Sequence, residues 1–342
     1  MKAVRMVGPG RPLELQQIPA PEPRPGEVRV AIRAAGICHS DAHYRAGIAP
    51  MGPLPLTLGH EIAGVVEKLG PGVSTHAIGA RVCLHYFTSC GRCAECSAGH
   101  EQFCEHYAML GHHRDGGFAE YVTAPARNAV FLPDRIAFEH GAILMCSSAT
   151  SLHALARARL APGETVAVFG CGGLGMSAIQ LARALGAREV FGVDIRAEPL
   201  SAVRKHGAIP VDASAGNPVA ALRHLTNQRG VDVALELAGL PATMRQALQA
   251  LAPLGRVVLV GISNRALEID PYREVIGREA ELIGCNDHHL DELHELLALA
   301  QSGGLDLGSA ITRRVPLEAD AINAVLDDLD RFEAGTRAVV VP

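Results

Sequence analysis

The sequence predicts an α/β protein in two parts: a small barrel-like β domain and a doubly wound parallel sheet of six strands. Three observations carry that expectation. Residues 1 to about 145 break into short, turn-bounded β stretches. From Ala161 the texture changes to short strands alternating with Ala- and Leu-rich helical stretches. Just beyond that change a glycine-rich turn, Gly170-Cys171-Gly172-Gly173-Leu174-Gly175, separates an apolar strand from a helix. A length of 342 residues, about twice that of a usual single domain, is in keeping with two domains.

Composition narrows the function classes. With 48% hydrophobic residues, no Trp and only 4% aromatics, the cores must be built from Ala, Val, Leu and Ile. A net charge of -5, spread without long runs of one sign, suggests neither a nucleic-acid surface nor a polybasic membrane patch. Met1-Lys2-Ala3-Val4-Arg5 does not open a signal-peptide apolar stretch, and there is no 18-residue apolar run. A soluble, cytoplasmic protein is expected. In such a reducing compartment nine Cys argue for thiols, and their clustering argues for metal before disulfides.

Taken in order, Pro19, Pro21, Pro23 and Pro25-Gly26 break the chain before an apolar alternation at 28–32, the first clear strand. Soon after it comes Gly36-Ile37-Cys38-His39-Ser40-Asp41-Ala42-His43, which gathers a thiol, two imidazoles, a hydroxyl and a carboxylate. Gly59-His60-Glu61 offers another imidazole, and Cys146 another thiol. One His and two Cys around an open fourth position is a known catalytic zinc arrangement. Singly, Cys38 and Cys146 read as small core residues and His60 as a satisfied polar group; together they form a candidate metal site.

Further strands are expected at 62–67, ending in Gly70-Pro71-Gly72, at 81–84 and at 118–122. Between the last two lies Cys90-Gly-Arg-Cys93-Ala-Glu-Cys96, with Cys104 after seven intervening residues. Four thiolates so close together match a closed tetrahedral zinc site, which orders a loop too poor in apolar residues to order itself. A ferredoxin cluster run has three residues before its last Cys and then a Pro, and this stretch has neither.

In the second part, Pro162-Gly163-Glu164 turns into a strand at 165–169, and the glycine turn opens a helix through about Leu185. A strand at 189–193 then ends at Asp194. Gly170, Gly172, Gly173, Leu174 and Gly175 allow a tight turn and bring backbone amides close to a pyrophosphate at the helix N-terminus. Asp194 is placed to accept hydrogen bonds from the adenosine ribose and to repel a 2′-phosphate. The expected cofactor is a nicotinamide dinucleotide, NAD before NADP. Arg196, a cation that would meet such a phosphate, keeps NADP as the alternative. Strands near 209–211, 232–236, 256–260 and 279–285 complete the six, with helices near 199–206, 219–226 and 242–251 between the earlier ones. Helices at about 291–302 and 319–329 and a strand at 337–341 are surplus to that sheet, and are expected to return to the first domain.

With these constellations in this order, the sequence resembles the zinc-containing alcohol dehydrogenases of the medium-chain dehydrogenase/reductase family over essentially the whole chain. The resemblance is carried by Gly36-x-Cys38-His39-Ser40-Asp41, Gly59-His60-Glu61, the four-Cys lobe, Gly116-Gly117-Phe118-Ala119-Glu120-Tyr121 and Gly170-x-Gly172-Gly173-Leu174-Gly175. It implies a GroES-like β-barrel catalytic domain from residues 1–146 and 287–342, with a structural-zinc lobe at about 88–106. Residues 147–286 would form a Rossmann dinucleotide-binding domain. Cys38, His60 and Cys146 would bind the catalytic zinc, with Glu61 beside it as an alternative ligand and Asp41 orienting His60. Cys90, Cys93, Cys96 and Cys104 would bind a structural zinc, making two Zn2+ per subunit, with NAD as the organic cofactor. His39 and Arg337 would lie against the pyrophosphate and Thr150 against the nicotinamide, and Ile262 joins the cofactor-binding set. Position 199, where many members carry a basic residue near the ribose, is Pro199, so that contact is missing. His85, His112, His113, His288 and His289 receive no role and read mostly as surface residues, although His85-Tyr86 falls where the family lines its substrate pocket.

The activity so implied interconverts alcohols with aldehydes or ketones by hydride transfer to or from NAD, through a zinc-bound alkoxide. Ser40 would take the alcohol proton and His43 would relay it to solvent. Small alcohols, aldehydes and ketones are the expected partners, with no nucleic acid and no membrane. Family analogy leads to a homo-oligomer, a tetramer before a dimer. Two alternatives stay open. One is a polyol or other specialised dehydrogenase on the same scaffold, against which Cys146 speaks because polyol-type relatives usually carry Glu there. The other is a non-catalytic zinc and dinucleotide-binding protein, to which the Ser40 and His43 pair would be of no use.

Overall fold

One long strand, Glu27–Ile37, organises the first part of the chain. Its alternating side chains bury Val28, Val30 and Ile32. It pairs antiparallel with Glu61–Leu69, with Tyr121–Pro125 and with the C-terminal Ala338–Val341. Register shifts at Arg29/Val30 and Ile32/Ala34 let it change partners along its length. The computed structural model describes residues 1–48, 51–331 and 337–342. Within them this sheet has seven strands, ordered Ala129–Phe131, Arg81–Leu84, Glu61–Leu69, Glu27–Ile37, Ala338–Val341 and Arg313–Pro316, with Tyr121–Pro125 off the path. A three-stranded sheet of Glu14–Gln17, Lys2–Met6 and Leu56–Thr57 accompanies it.

The strand expected at 118–122 begins only at Tyr121. Gly117 and Phe118 instead donate their N–H groups to the Gly59 and Leu58 carbonyls at 2.6 and 3.0 Å, and the Phe118 ring is fully buried. The start of the run is thus claimed by the loop that presents His60, and only Tyr121–Pro125 joins the sheet.

The second sheet is wholly parallel. Its order is Ile209–Asp212, Glu189–Asp194, Thr165–Phe169, Val231–Glu236, Leu251–Leu259 and Glu281–Gly284. Counted from Thr165 this is 3-2-1-4-5-6, the doubly wound Rossmann order. All five residues of Thr165–Phe169 are buried, which explains an unbroken apolar strand rather than an alternating one. By internal contact the chain divides into two units, Met1–Cys146 with His289–Ser302 and Asp306–Pro342, and Ser147–His288 with Gly303–Leu305. Each has its own apolar core, one around Val30, Ile62 and Phe118, the other around Ala167, Phe191 and Leu248. No helix among the described residues is long and apolar enough to cross a membrane.

Candidate functional site

The Glu27–Ile37 strand delivers Cys38 to the N-cap of the His39–Ala46 helix. Asp41, three residues on, accepts the Cys38 N–H at 2.9 Å, closing a reciprocal cap. Its other oxygen accepts the Gly59 N–H at 3.2 Å and lies 3.4 Å from His60 Nδ1. One buried carboxylate therefore ties the segments carrying Cys38 and His60 together. Glu61 pairs in register with Gly36, and a Cβ at Gly36 would overlap the Glu61 carboxylate. Cys146 arrives on a π-helical turn, Leu144–Ser148, a widened geometry frequent at functional sites.

The ligand atoms of Cys38, His60, Glu61 and Cys146 all lie within 4.8 Å of one another, and all four residues are buried. The two sulfurs are 3.9 Å apart. Two thiolates on one tetrahedral zinc, each at about 2.3 Å, would stand about 3.8 Å apart. Glu61 Oε1 meets no hydrogen-bond partner among the described residues, as expected of an oxygen left facing a cation. Donor chemistry and spacing both fit zinc.

The electrostatics of the cluster are coupled. Contact with Cys146, helped by His60 and Arg337, holds the Cys38 thiol well below the usual range despite burial. The same contact, joined by burial, pushes Cys146 up, so the pair releases one proton readily and keeps the other. Burial opposes charge on His60, but Asp41 outweighs it and raises the imidazole well above its ordinary value. Burial pushes Glu61 up to about 7 even though Arg337 pulls the other way. Arg337, expected against a pyrophosphate, is buried with its guanidinium on Glu61 Oε2. Burial works against its charge, yet Glu61 and Cys38 raise its pKa further.

Ser40 and His43 sit half-buried on the same helix, three residues apart and hence on one face. Ser40 Oγ lies 3.8 Å from Cys38 Sγ, and the His43 ring is 4.7 Å from that of His39. Tyr86 meets His60 edge-on at 5.1 Å, and Tyr44 lies 6.5 Å from it. The sequence offered no signal for Tyr44. The histidines read as surface residues are a correction: His85 and His288 are fully buried, His112 is 9% exposed, and His113 and His289 are partly buried. Aromatic neighbours absorb several of them, His85 beside Tyr86 and Phe87, His112 beside Tyr44. Burial, joined by His113 and His60, pushes the His112 imidazole down to about 4, so it is neutral at ordinary pH.

Cys90, Cys93, Cys96 and Cys104 form a second cluster with ligand atoms within 4.8 Å of one another. Cys90 and Cys96 Sγ are 4.0 Å apart. Backbone N–H groups of Cys93, Cys90 and His106 donate to the sulfurs of Cys90, Cys104 and Cys104, each at 3.3 Å. The amides of Arg92 and Cys93 draw the Cys90 thiol down to about 6, whereas burial pushes Cys104 up to about 11. Such amide-cradled thiolates again fit zinc.

In the parallel sheet, Gly170 adopts φ 91°, and Gly172 caps the Gly173–Ala184 helix. A Cβ at Gly175 would overlap the Gly170 carbonyl, so glycine is required at that crossing of turn and helix. Leu174 lies in the first turn, its carbonyl accepting the Ser151 hydroxyl at 2.9 Å. Asp194 ends the adjacent strand. It accepts the Cys171 N–H at 2.9 Å on one oxygen, and the Ile195 and Arg196 N–H groups at 2.8 and 3.0 Å on the other. The Arg196 Nε is 3.5 Å from that second oxygen. Thr150 is buried in the Ala149–Arg157 helix, and Ile262 stands 83% exposed. Glu236, not singled out in the sequence, ends the fourth strand and accepts the Ala238 and Gly239 N–H groups, both at 3.0 Å.

The family described as "Alcohol dehydrogenase GroES-like domain" matches residues 24–134, and that described as "Zinc-binding dehydrogenase" matches residues 173–302. The chain is 34% identical over 352 residues to the NAD-dependent alcohol dehydrogenase of Sulfurisphaera tokodaii, with 100% of each covered. It is 33% identical to the L-threonine 3-dehydrogenase of Symbiobacterium thermophilum, covering 100% of this chain and 98% of that one. Among solved structures, the alcohol dehydrogenase of the archaeon Aeropyrum pernix matches at a TM-score of 0.91 and 34% identity, with 100% of each chain covered.

Proposed function

Because this chain belongs to the zinc-binding alcohol dehydrogenases of the medium-chain dehydrogenase/reductase family, we propose that it interconverts small alcohols with aldehydes or ketones. NAD held at the glycine turn would supply the hydride acceptor for the alcohol and, reduced, the hydride donor for the carbonyl. The observation that carries this reading is the convergence of Cys38, His60, Glu61 and Cys146 at one end of the helix bearing Ser40 and His43.

Cys38, His60 and Cys146 hold the catalytic zinc, and Glu61 stands by as an alternative donor. Zinc bound there supplies a Lewis acid that makes an alcohol easier to deprotonate and a carbonyl easier to reduce. Asp41, 3.4 Å from His60 Nδ1, favours a proton on that nitrogen and so leaves the far one for the metal. Ser40 accepts the alcohol proton over hydrogen-bond distance, and His43, on the same helix face, passes it on to solvent. The turn at Gly170, Gly172, Gly173, Leu174 and Gly175 binds the pyrophosphate with backbone amides. Asp194 retains acceptor capacity on its Cys171-bonded oxygen for a ribose hydroxyl, and its charge disfavours NADP. His39, Thr150, Arg196 and Ile262 complete the cofactor contacts. Arg337 acts first on Glu61, through which it holds positive charge beside the two thiols. Cys90, Cys93, Cys96 and Cys104 hold a second, structural zinc, and a homotetramer is the assembly expected.

The test is absorbance at 340 nm with NAD and a panel of primary, secondary, cyclic and polyhydroxy alcohols, together with zinc analysis. About two zinc ions per chain and steady NADH formation are expected. His60→Ala should abolish turnover while NADH binding survives. Normal turnover by that variant would remove the metal role.

A further inference from the structure

Two arginines of the second unit share one pair of acceptors. Arg223 lies in the last turn of the Pro218–Leu225 helix, and Arg278 ends the short turn Ile276–Arg278 just before the last strand of the parallel sheet. Both reach the point where the Pro241–Gln249 helix passes into the strand Leu251–Leu259. Arg223 Nη2 donates to the Gln249 carbonyl at 2.9 Å and to the Leu251 carbonyl at 3.4 Å. Arg278 Nη1 donates to the same two oxygens, each at 3.0 Å. Two cations are thus immediate neighbours.

One arginine would satisfy the end of a helix, where a positive charge is favourable. The second brings repulsion, and no carboxylate offsets it. Arg229 and Arg245 have Asp232 at 2.7 Å and Glu274 at 3.0 Å, but Arg223 and Arg278 have no such partner among the described residues. Burial, then the charge of Arg278, lowers the Arg223 pKa, and no acid counters them. The pair is also open to a ligand, since both residues are partly exposed. Arg278 commits only Nη1 to the carbonyls. Its Nε and Nη2 remain, donors with the spacing to grip an oxyanion through two parallel bonds. Arg223 keeps its Nε–H, while its Nη1 donates to the Gln228 carbonyl at 3.3 Å.

The pair belongs to the N-terminal edge of the sheet, because Leu251 opens its strand beside Val231. The glycine turn follows Phe169 at the opposite, C-terminal edge. An anion held by the arginines is therefore separate from any pyrophosphate at that turn.

We propose that Arg223 and Arg278 form a binding site for a divalent tetrahedral oxyanion, either inorganic phosphate or the phosphoryl group of a small metabolite. A dianion neutralises both guanidinium groups, whereas a monocarboxylate leaves one unmatched. The recessed position of the pair suits a small anion better than an acidic side chain on the surface of another protein. Once bound, the anion ties the Pro218–Leu225 helix to the turn at Ile276–Arg278 and stabilises the parallel unit. The site does not depend on the dehydrogenase activity.

The experiment follows the melting temperature of the full-length protein, loaded with zinc and NADH, against sodium phosphate, with sodium chloride at matched ionic strength as the reference. A saturating rise of about 3 °C is expected at tenfold excess over a Kd of about 1 mM. In Arg223→Gln and Arg278→Gln the half-saturating concentration should increase at least about tenfold, while NADH affinity stays within about twofold of wild type. Arg278→Lys, which keeps the charge but not the fork, should fall between. Phosphate can also meet the zinc, so a rise equal in wild type and both Gln variants would overturn the proposal, as would no rise beyond that in chloride. Two further titrations need no variant and decide the matter if the Gln proteins fail to fold by circular dichroism. Half-saturation by glycerol 3-phosphate below that of phosphate identifies a phosphorylated metabolite, and half-saturation no lower identifies phosphate itself. Acetate acting as well as phosphate would overturn the dianion site. A changed oligomeric state in the Gln variants, with no phosphate response in the wild type, would assign the pair to a subunit contact instead and overturn it too.

Discussion

A Cβ at Gly36 would take the space that holds the Glu61 carboxylate, whose other neighbour is the Arg337 guanidinium. The absent side chain thus decides where a buried ion pair sits, and that pair adds a smaller influence to the Cys38 and Cys146 thiols, whose shifts come first from their mutual contact. Gly36→Ala should displace Glu61 and strand part of that charge, which is costly in a buried site. The expected result is a loss of bound zinc and a drop in kcat of at least about tenfold, read by metal analysis and steady-state rates. Zinc content and kcat equal to wild type would show that the cluster tolerates the methyl group. The candidate ligands Cys38, His60 and Cys146, which the fold brings together, were legible in the sequence because few other functions need those donors beside the same motif residues. The Glu61–Arg337 pair was not, because its members are 276 residues apart and meet only through strand pairing.

Among the elements, the neighbouring parallel strands Thr165–Phe169 and Val231–Glu236 are joined at their start by Asp232. Its carboxylate accepts the Thr165 N–H and hydroxyl at 2.9 and 2.8 Å and the Arg229 guanidinium at 2.7 Å. Burial pushes this carboxyl up, but Arg229 and Thr165 outweigh it, so its pKa is lowered in the folded protein. A depressed carboxyl stabilises the fold above its unfolded pKa of about 3.9 and loses that contribution as pH falls through the folded value. Asp232→Asn should therefore cost about 1 kcal/mol at pH 7, and the gap to wild type should narrow on acidification below about pH 4. Urea melts at both pH values measure it, and a gap independent of pH would rule out the charge. The central strand Thr165–Phe169 was legible as an unbroken apolar run, since a central parallel strand is covered on both faces. The short strands of the first part, such as Leu56–Thr57 and Phe87–Thr88, were not, because two residues carry no periodicity.

For the molecule as a whole, the chain forms two units with separate apolar cores, and the four-Cys cluster and the Cys38, His60, Glu61 and Cys146 cluster both belong to the first. The second unit carries the glycine turn and Asp194 without any metal ligand in them. Chelation of zinc should consequently lower the melting temperature and expose the segment from Cys90 to Cys104 to protease, while NADH fluorescence still reports binding. NADH binding lost in step with zinc would contradict that independence. Alternation of strand and helix made the second unit legible as a class of fold. The pairing of the C-terminal strand with Glu27–Ile37 required the three-dimensional structure, because nothing local in Ala338–Val341 names its partner.

By itself the sequence determined which chemistry to look for in this protein. It singled out two sets of candidate metal ligands, and a glycine turn between strand and helix, followed by an acid, as a candidate dinucleotide site, because those functions depend on residue type within short stretches. Tertiary structure alone decided the surroundings of that candidate site: Arg337 on Glu61, Gly36 making room for the Glu61 carboxylate, and Tyr86 edge-on to His60. Burial and charge pairing act through space, between residues that the chain order keeps far apart.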